Sequence, residues 1–189
     1  MVDVAKNLLA IKAQLPEGVE LTAVSKFHPD EYITAAYNVG QRIFGESHEQ
    51  ELARKAASLP KDIHWHFIGH LQTNKVKYIA PYISMIESVD SIRLLREIEK
   101  QGARCGRRIR VLLELHIAEE ATKYGLTPDD CRSLLADGEW QQMKHVEICG
   151  LMMMASHTDD HDQIAREMDT AHSFFDEVRG KYFADQPSF

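Results

Sequence analysis

Leu21-Thr22-Ala23-Val24-Ser25-Lys26-Phe27-His28-Pro29-Asp30-Glu31 takes an apolar, β-branched run straight into a lysine and then into residues that open a helix. Leu21 to Val24 reads as a short buried strand, and Pro29 with Asp30 and Glu31 reads as the first turn of a helix. Lys26 therefore stands at the carboxyl end of a strand. In a parallel α/β protein that end gathers ligands and chemistry, and a primary amine there can form an imine with an aldehyde. The competing reading is a solvated charge, the ordinary state of a lysine.

The same unit repeats on both sides of this stretch. Val4, Leu8, Leu9, Ile11 and Leu15 recur at helical spacing before Pro16-Glu17-Gly18, so a helix precedes the first strand. After it the spacing predicts a helix from Asp30 to Asn38 closed at Gly40, a strand from Arg42 to Glu46, and a helix carrying Leu52, Ala53 and Ala56 that ends near Pro60. A third strand opens at Ile63, with a helix starting at Thr73. A fourth runs from Ile83 to Val89, with a helix from Ser91 that buries Ile92, Leu95 and Ile98. Ile109 to Leu115 is nearly all apolar, as in a strand covered on both faces. A loop from Ala118 to Gly125, with two acids and Lys123, leads to a helix signalled by Thr127-Pro128-Asp129-Asp130. The sixth strand is Val146 to Met153, and the last helix runs from about His161 to Lys181.

Six strands alternating with helices, without a long linker or a composition break, predict one parallel α/β domain over residues 1–189. A doubly wound sheet and a (β/α)8 barrel of the TIM type both fit. The barrel is preferred because no Gly-x-Gly-x-x-Gly turn follows the first strand and polar residues follow nearly every strand. A complete barrel takes about 250 residues, so this chain is expected to hold six βα units and to stop where a seventh strand begins.

Composition narrows the function classes. A hydrophobic fraction of 44% is that of a globular protein, and 29 acidic against 22 basic residues give a net charge of −7, which argues against broad attraction to nucleic acid or to a membrane. Met1 to Lys12 lacks the apolar core of a signal peptide or a span, so a cytoplasmic location is expected. Cys105, Cys131 and Cys149 lack disulfide or zinc-knuckle spacing.

Laid side by side, the strand ends supply Lys26, Glu46 and Ser47, His70, Ser88 and Asp90, His116, and Ser156 with His157. They form either a site rim or the polar border any such fold carries. Asn74, at a helix start beside the rim, is placed to orient a ligand. His64 and His66 share a strand face and admit a His-x-His metal pair, with satisfied core histidines as the plainer reading. Met152-Met153-Met154 reads as core filling. Lys75 with Lys77, and the Arg104 to Arg110 cluster, read as solvated faces.

Ala23-Val24-Ser25-Lys26 followed by Pro29, Phe44-Gly45-Glu46, the run His66-Phe67-Ile68-Gly69-His70-Leu71-Gln72-Thr73-Asn74-Lys75, and Gly150-Leu151-Met152 together resemble the pyridoxal phosphate homeostasis proteins, single-domain relatives of the alanine racemase N-terminal barrel. The resemblance covers nearly the whole chain. It implies a vitamin B6 carrier or regulator that holds pyridoxal 5'-phosphate as an aldimine of Lys26, without established turnover, and apoenzymes that depend on this cofactor as recipients. It further implies Glu46, Ser47, His70, Asn74 and Met152 as neighbours of the cofactor, Ser47 standing where many members carry asparagine. The family's phosphate-binding turns follow its seventh and eighth strands, so the C-terminal part of the barrel is expected to be absent here and the lysine to be present without the phosphate cup. Two alternatives stay open, an amino-acid racemase that uses the same cofactor and a metal-dependent hydrolase. Imine formation needs a neutral amine, and burial favours that form in lysines generally.

Overall fold

Capping signals in the chain act where the sequence carries them. The computed structural model describes residues 3–117 and 124–189, so residues 118–123 of the expected Ala118 to Gly125 loop lie outside the described part. Helix α1, Val4–Lys12, is capped by Asp3, whose carboxylate accepts from the Lys6 N–H. Helix α2, Asp30–Asn38, follows Pro29 and holds Asp30 and Glu31 in its first turn, where a helix dipole favours acids. Helix α5, Ile92–Cys105, runs from a Ser91 cap to Gly106, whose φ of 63° a glycine adopts without a Cβ penalty. Helix α6, Pro128–Asp137, has Thr127 as cap and Pro128 at its first position. The remaining helices are α3 (Glu49–Ser58), a single turn α4 (Val76–Ile79) that continues a 3-10 turn over Thr73–Lys75, and α7 (His161–Tyr182).

Strands β1 (Ala23–Val24), β2 (Ile43–Glu46), β3 (His64–Phe67), β4 (Met85–Val89), β5 (Ile109–Leu115) and β6 (Val146–Met153) form one six-stranded sheet in sequence order. All five pairings are parallel, so every strand end that precedes a helix lies on the same edge of the molecule. The expected six βα units are present, as an open parallel sheet. One face is apolar. Phe44, Trp65, Phe67, Ile86, Val111 and Leu113 alternate onto it and are buried in one cluster with Ile33, Leu52, Ile79, Leu95, Ile98, Leu135 and Val178 from the helices. Full burial of each such side chain stabilises the fold by roughly 1.5–3 kcal/mol. The other face carries His64, His66, Glu87, Arg110, Glu114 and Cys149, the intervening positions of the same strands.

Several ends differ from the sequence reading, each for a local reason. The Gln41 side chain donates to the Leu21 carbonyl at 2.6 Å and takes it out of the ladder, so β1 has two residues rather than four. The Ile83 carbonyl accepts from Arg107 at 2.8 Å, and β4 begins only at Met85. Arg107 also donates to the Ala80 carbonyl at 2.7 Å. It is therefore a structural clamp between α5 and the α4–β4 turn, not part of a solvated face. Between β5 and β6 the register moves from Val111 opposite Ile148 to Leu113 opposite Leu151. The extra residue is a bulge at Gly150, and it sets Met152 opposite Glu114.

Candidate functional site

The line of β1 continues through Ser25, whose N–H donates to the Gly45 carbonyl at 2.9 Å, and delivers Lys26 half-buried to the rim. Both peptide units that flank Lys26 are anchored. The carbonyl of Ser25 accepts from the Lys55 ammonium at 2.8 Å, and the N–H of Phe27 donates to Glu51 Oε1 at 2.9 Å. Lys55 also donates to Glu46 Oε1 at 2.8 Å and to Glu51 Oε1 at 2.6 Å, and Ser25 Oγ donates to Glu46 Oε1 at 2.5 Å. The side chains of Lys55 and Glu46 are 0% exposed. A buried ammonium is tolerable only when paired in this way. Burial alone would raise the Glu51 carboxyl, but Lys55 and the Phe27 amide outweigh it and hold Glu51 below the usual carboxylate range. Phe27 has a φ of 65°, a left-handed conformation that costs a side-chain-bearing residue about 1–2 kcal/mol. Neighbouring bonds must supply that cost.

Glu46, expected as a neighbour of the cofactor, is engaged by Ser25 and Lys55. Strand alternation puts it on the face of Phe44, toward α3, where Lys55 meets it. Gly45 takes the opposite face, and a Cβ there would lie 3.0 Å from Ile68 Cδ1 and 3.2 Å from Thr22 Cγ2.

Beyond β2 and β3, His70 borders both Ser47 and Asn74, which lie in separate clefts. Two clefts share His70, Leu71 and Gln72: one of about 330 Å³ reaches Ser47 and Lys75, the other of about 520 Å³ reaches Asn74, Asp90 and Ser91. His70 Nδ1 lies 3.3 Å from Asp90 Oδ2, and its ring stacks on Tyr124 with centroids 3.9 Å apart. Lys75 pairs with Glu49 at 2.6 Å and ties the 3-10 turn holding Asn74 to α3, so Lys75 is a tether and not a solvated charge. Lys26 lines neither of these two clefts.

Met152 lies at the far end of the sheet, half-buried beside Glu114. Burial, reinforced by the nearby Asp90 charge, pushes the Glu114 carboxyl up to about 7, although His116 pulls the other way. Among the described residues, Glu46 Oε2, Tyr82 Oη, Ser88 Oγ and Glu114 Oε2 are buried without a hydrogen-bond partner. Ser156 is buried and gripped by Glu167 at 2.6 and 2.7 Å, which ties the loop after β6 to α7. His66 Nδ1 lies 2.6 Å from Glu87, and among the described residues no three His, Cys, Asp or Glu side chains gather as a metal set.

Residues 2–187 match the family model described as "Alanine racemase, N-terminal domain". The chain belongs to this family. Among its curated relatives, the pyridoxal phosphate homeostasis protein of Schizosaccharomyces pombe is 38% identical over 140 residues, 73% of this chain and 58% of the relative. The protein of that name from Helicobacter pylori strain 26695 is 34% identical over 163 residues, 85% of this chain and 73% of the relative. The chain thus spans little more than half of the yeast protein's length. The solved structure of PipY from Synechococcus elongatus PCC7942, which has pyridoxal phosphate bound, superposes with a TM-score of 0.85 at 33% identity, covering 95% of this chain and 83% of PipY.

Sequence reasoning about this family member missed Glu51 and Lys55. Their signal was present as an i,i+4 acid–base pair on a helix, which is commonly a surface feature. Glu114 was also visible, as a lone carboxylate inside an apolar strand run, but nothing in the run tells which side of the sheet it faces. Among the described residues no helix is long and apolar enough to cross a membrane.

Proposed function

We propose that this chain binds pyridoxal 5'-phosphate at the rim, with Lys26 as covalent anchor, and serves in the homeostasis of that cofactor without turnover of amino acids. The single observation that carries the reading is a half-buried lysine at the end of β1 with one flanking peptide held by the buried Lys55 and the other by the half-buried Glu51. The names of the relatives and the ligand in PipY support it. When bound, the cofactor supplies an aldehyde that a neutral primary amine converts to a carbon–nitrogen double bond with loss of water. A lysine whose flanking peptides are held and whose Nζ has no hydrogen-bond partner among the described residues fits that requirement.

In this reading His70 orients the ligand from the Asp90 side, Ser47 and Asn74 bound the two clefts that meet at His70, and Met152 covers the ring from β6. Glu46 acts on Lys26 through Ser25 and does not touch the ligand. Apoenzymes are the recipients, and mixing loaded protein with a cofactor-free apoenzyme should restore that enzyme's activity. The anchor is tested by borohydride reduction of the loaded protein followed by peptide mass mapping. A pyridoxyl mass is expected on the Lys26 peptide and nowhere else, and its persistence in Lys26→Ala contradicts the reading. Steady-state racemisation of alanine would replace the carrier with a racemase.

A further inference from the structure

The buried Lys55 and Glu46 and the half-buried Glu51 form a cluster whose hydrogen bonds end on the two peptides around Lys26, and only one of its three ionisable members, Glu46, belongs to the strand-end set. Lys55 Nζ makes three hydrogen bonds, to Ser25 O, Glu46 Oε1 and Glu51 Oε1 at 2.8, 2.8 and 2.6 Å. Glu51 Oε1 in turn accepts from the Phe27 N–H at 2.9 Å. Phe27 is the one residue other than glycine with positive φ among the described residues, and 73% of its surface is exposed. Its own packing therefore does not explain its conformation. The turn it sits in does: the His28 N–H donates to the Ser25 carbonyl at 3.1 Å and makes Phe27 the third residue of a four-residue turn, where a positive φ belongs, and Glu51 holds that turn to α3 through the Phe27 N–H.

We propose that Glu51, with Lys55, is a positioning residue for Lys26: it holds the Lys26–Phe27 peptide so that the amine leaves the strand end at the angle an incoming carbonyl requires. This rests on Lys26 being the reactive amine. A displacement of about 1 Å at a reacting group costs on the order of 100-fold in rate, so a loosened peptide should be read directly in the reactivity of Nζ.

The test uses cofactor-free protein and follows acylation of Lys26 by an amine-directed reagent, quantified by peptide mapping, alongside the rate of covalent capture of pyridoxal 5'-phosphate. Glu51→Gln keeps an oxygen that accepts from the Phe27 amide and should stay within about two-fold of the parent. Glu51→Ala should slow both reactions about ten-fold or more, and should speed hydrogen exchange at the Phe27 amide. Glu51→Asp keeps the charge beside Lys55 but is one methylene short, and it should behave like Glu51→Ala; it carries the test if the alanine variant does not fold. A merely structural role predicts a lower unfolding temperature with unchanged Lys26 reactivity. Parent rates in Glu51→Ala or Glu51→Asp, or a Glu51→Gln as slow as Glu51→Ala, would overturn the proposal. If Lys26 acylation responds as stated but no pyridoxyl adduct forms in any variant, the positioning stands and the cofactor reading fails.

Discussion

Glu114 interrupts an otherwise apolar β5, and its carboxyl is pushed up to about 7 chiefly by burial. Below pH 4.5, its ordinary value, folded and unfolded chains both tend to hold this proton. Between there and about 7 only the unfolded chain gives it up, so stability falls as pH rises through that window and levels off above it. The whole effect is at most about 3 kcal/mol. Glu114→Gln removes the titration while keeping the shape. Denaturant unfolding at pH 5 and pH 8 should find the parent losing stability relative to the variant by ~1–3 kcal/mol across that interval. Equal pH dependence in the two proteins contradicts the assignment. At the same scale, Lys26 owes its setting to residues that never reach the rim. Its neighbours Ser25 and Phe27 carry the bonds.

At the scale of elements, the rim depends on how closely β2 and β3 approach beyond their ladder. Gly69 packs on Ser47 so tightly that an added Cβ would lie 2.6 Å from Ser47 Cβ and 2.8 Å from Ser47 O. Because one of those atoms is backbone, the strand ends would have to separate. Gly69→Ala is expected to cost about 1–3 kcal/mol and to weaken cofactor binding, since Ser47 and His70 sit on the two displaced ends. Denaturant midpoints and a binding titration check the two effects separately, and an unchanged midpoint refutes the close packing. Much of the element order was legible in the chain: the Ser91, Thr127-Pro128 and Gly106 signals each mark a helix end. The lengths of β1 and β4 were not, because side chains of Gln41 and Arg107, 20 and 24 residues away, capture the carbonyls that would have extended them.

The whole molecule is an open parallel sheet whose β1 and β6 are each paired on one side only among the described residues. Val24 and Phe27 beside the β1 edge are 51% and 73% exposed, and Leu9 and Ile11 on the neighbouring α1 are about half exposed. Unpaired parallel edges bordered by apolar surface invite pairing with other chains. The 189-residue chain produced by itself is expected to self-associate in a concentration-dependent way. Sedimentation velocity over a wide concentration range would show this, and a single monomeric species throughout would contradict it.

The alternation of apolar runs, caps and turn residues determined by itself that the chain is a series of parallel βα units and that Lys26 stands at a strand end, because these are local properties of short windows. The family runs added a ligand class to that lysine. Only the tertiary structure decided that Glu46 is engaged by Ser25 and Lys55, that Glu51 and Lys55 reach back to the peptides around Lys26, and that Met152 falls opposite Glu114. Those outcomes depend on strand register, on a one-residue bulge at Gly150 and on which helix packs beside which strand. A one-residue change of register turns a strand side chain such as Met152 to the opposite face, and which helix packs against Glu46 is a long-range outcome that no local pattern in the chain encodes.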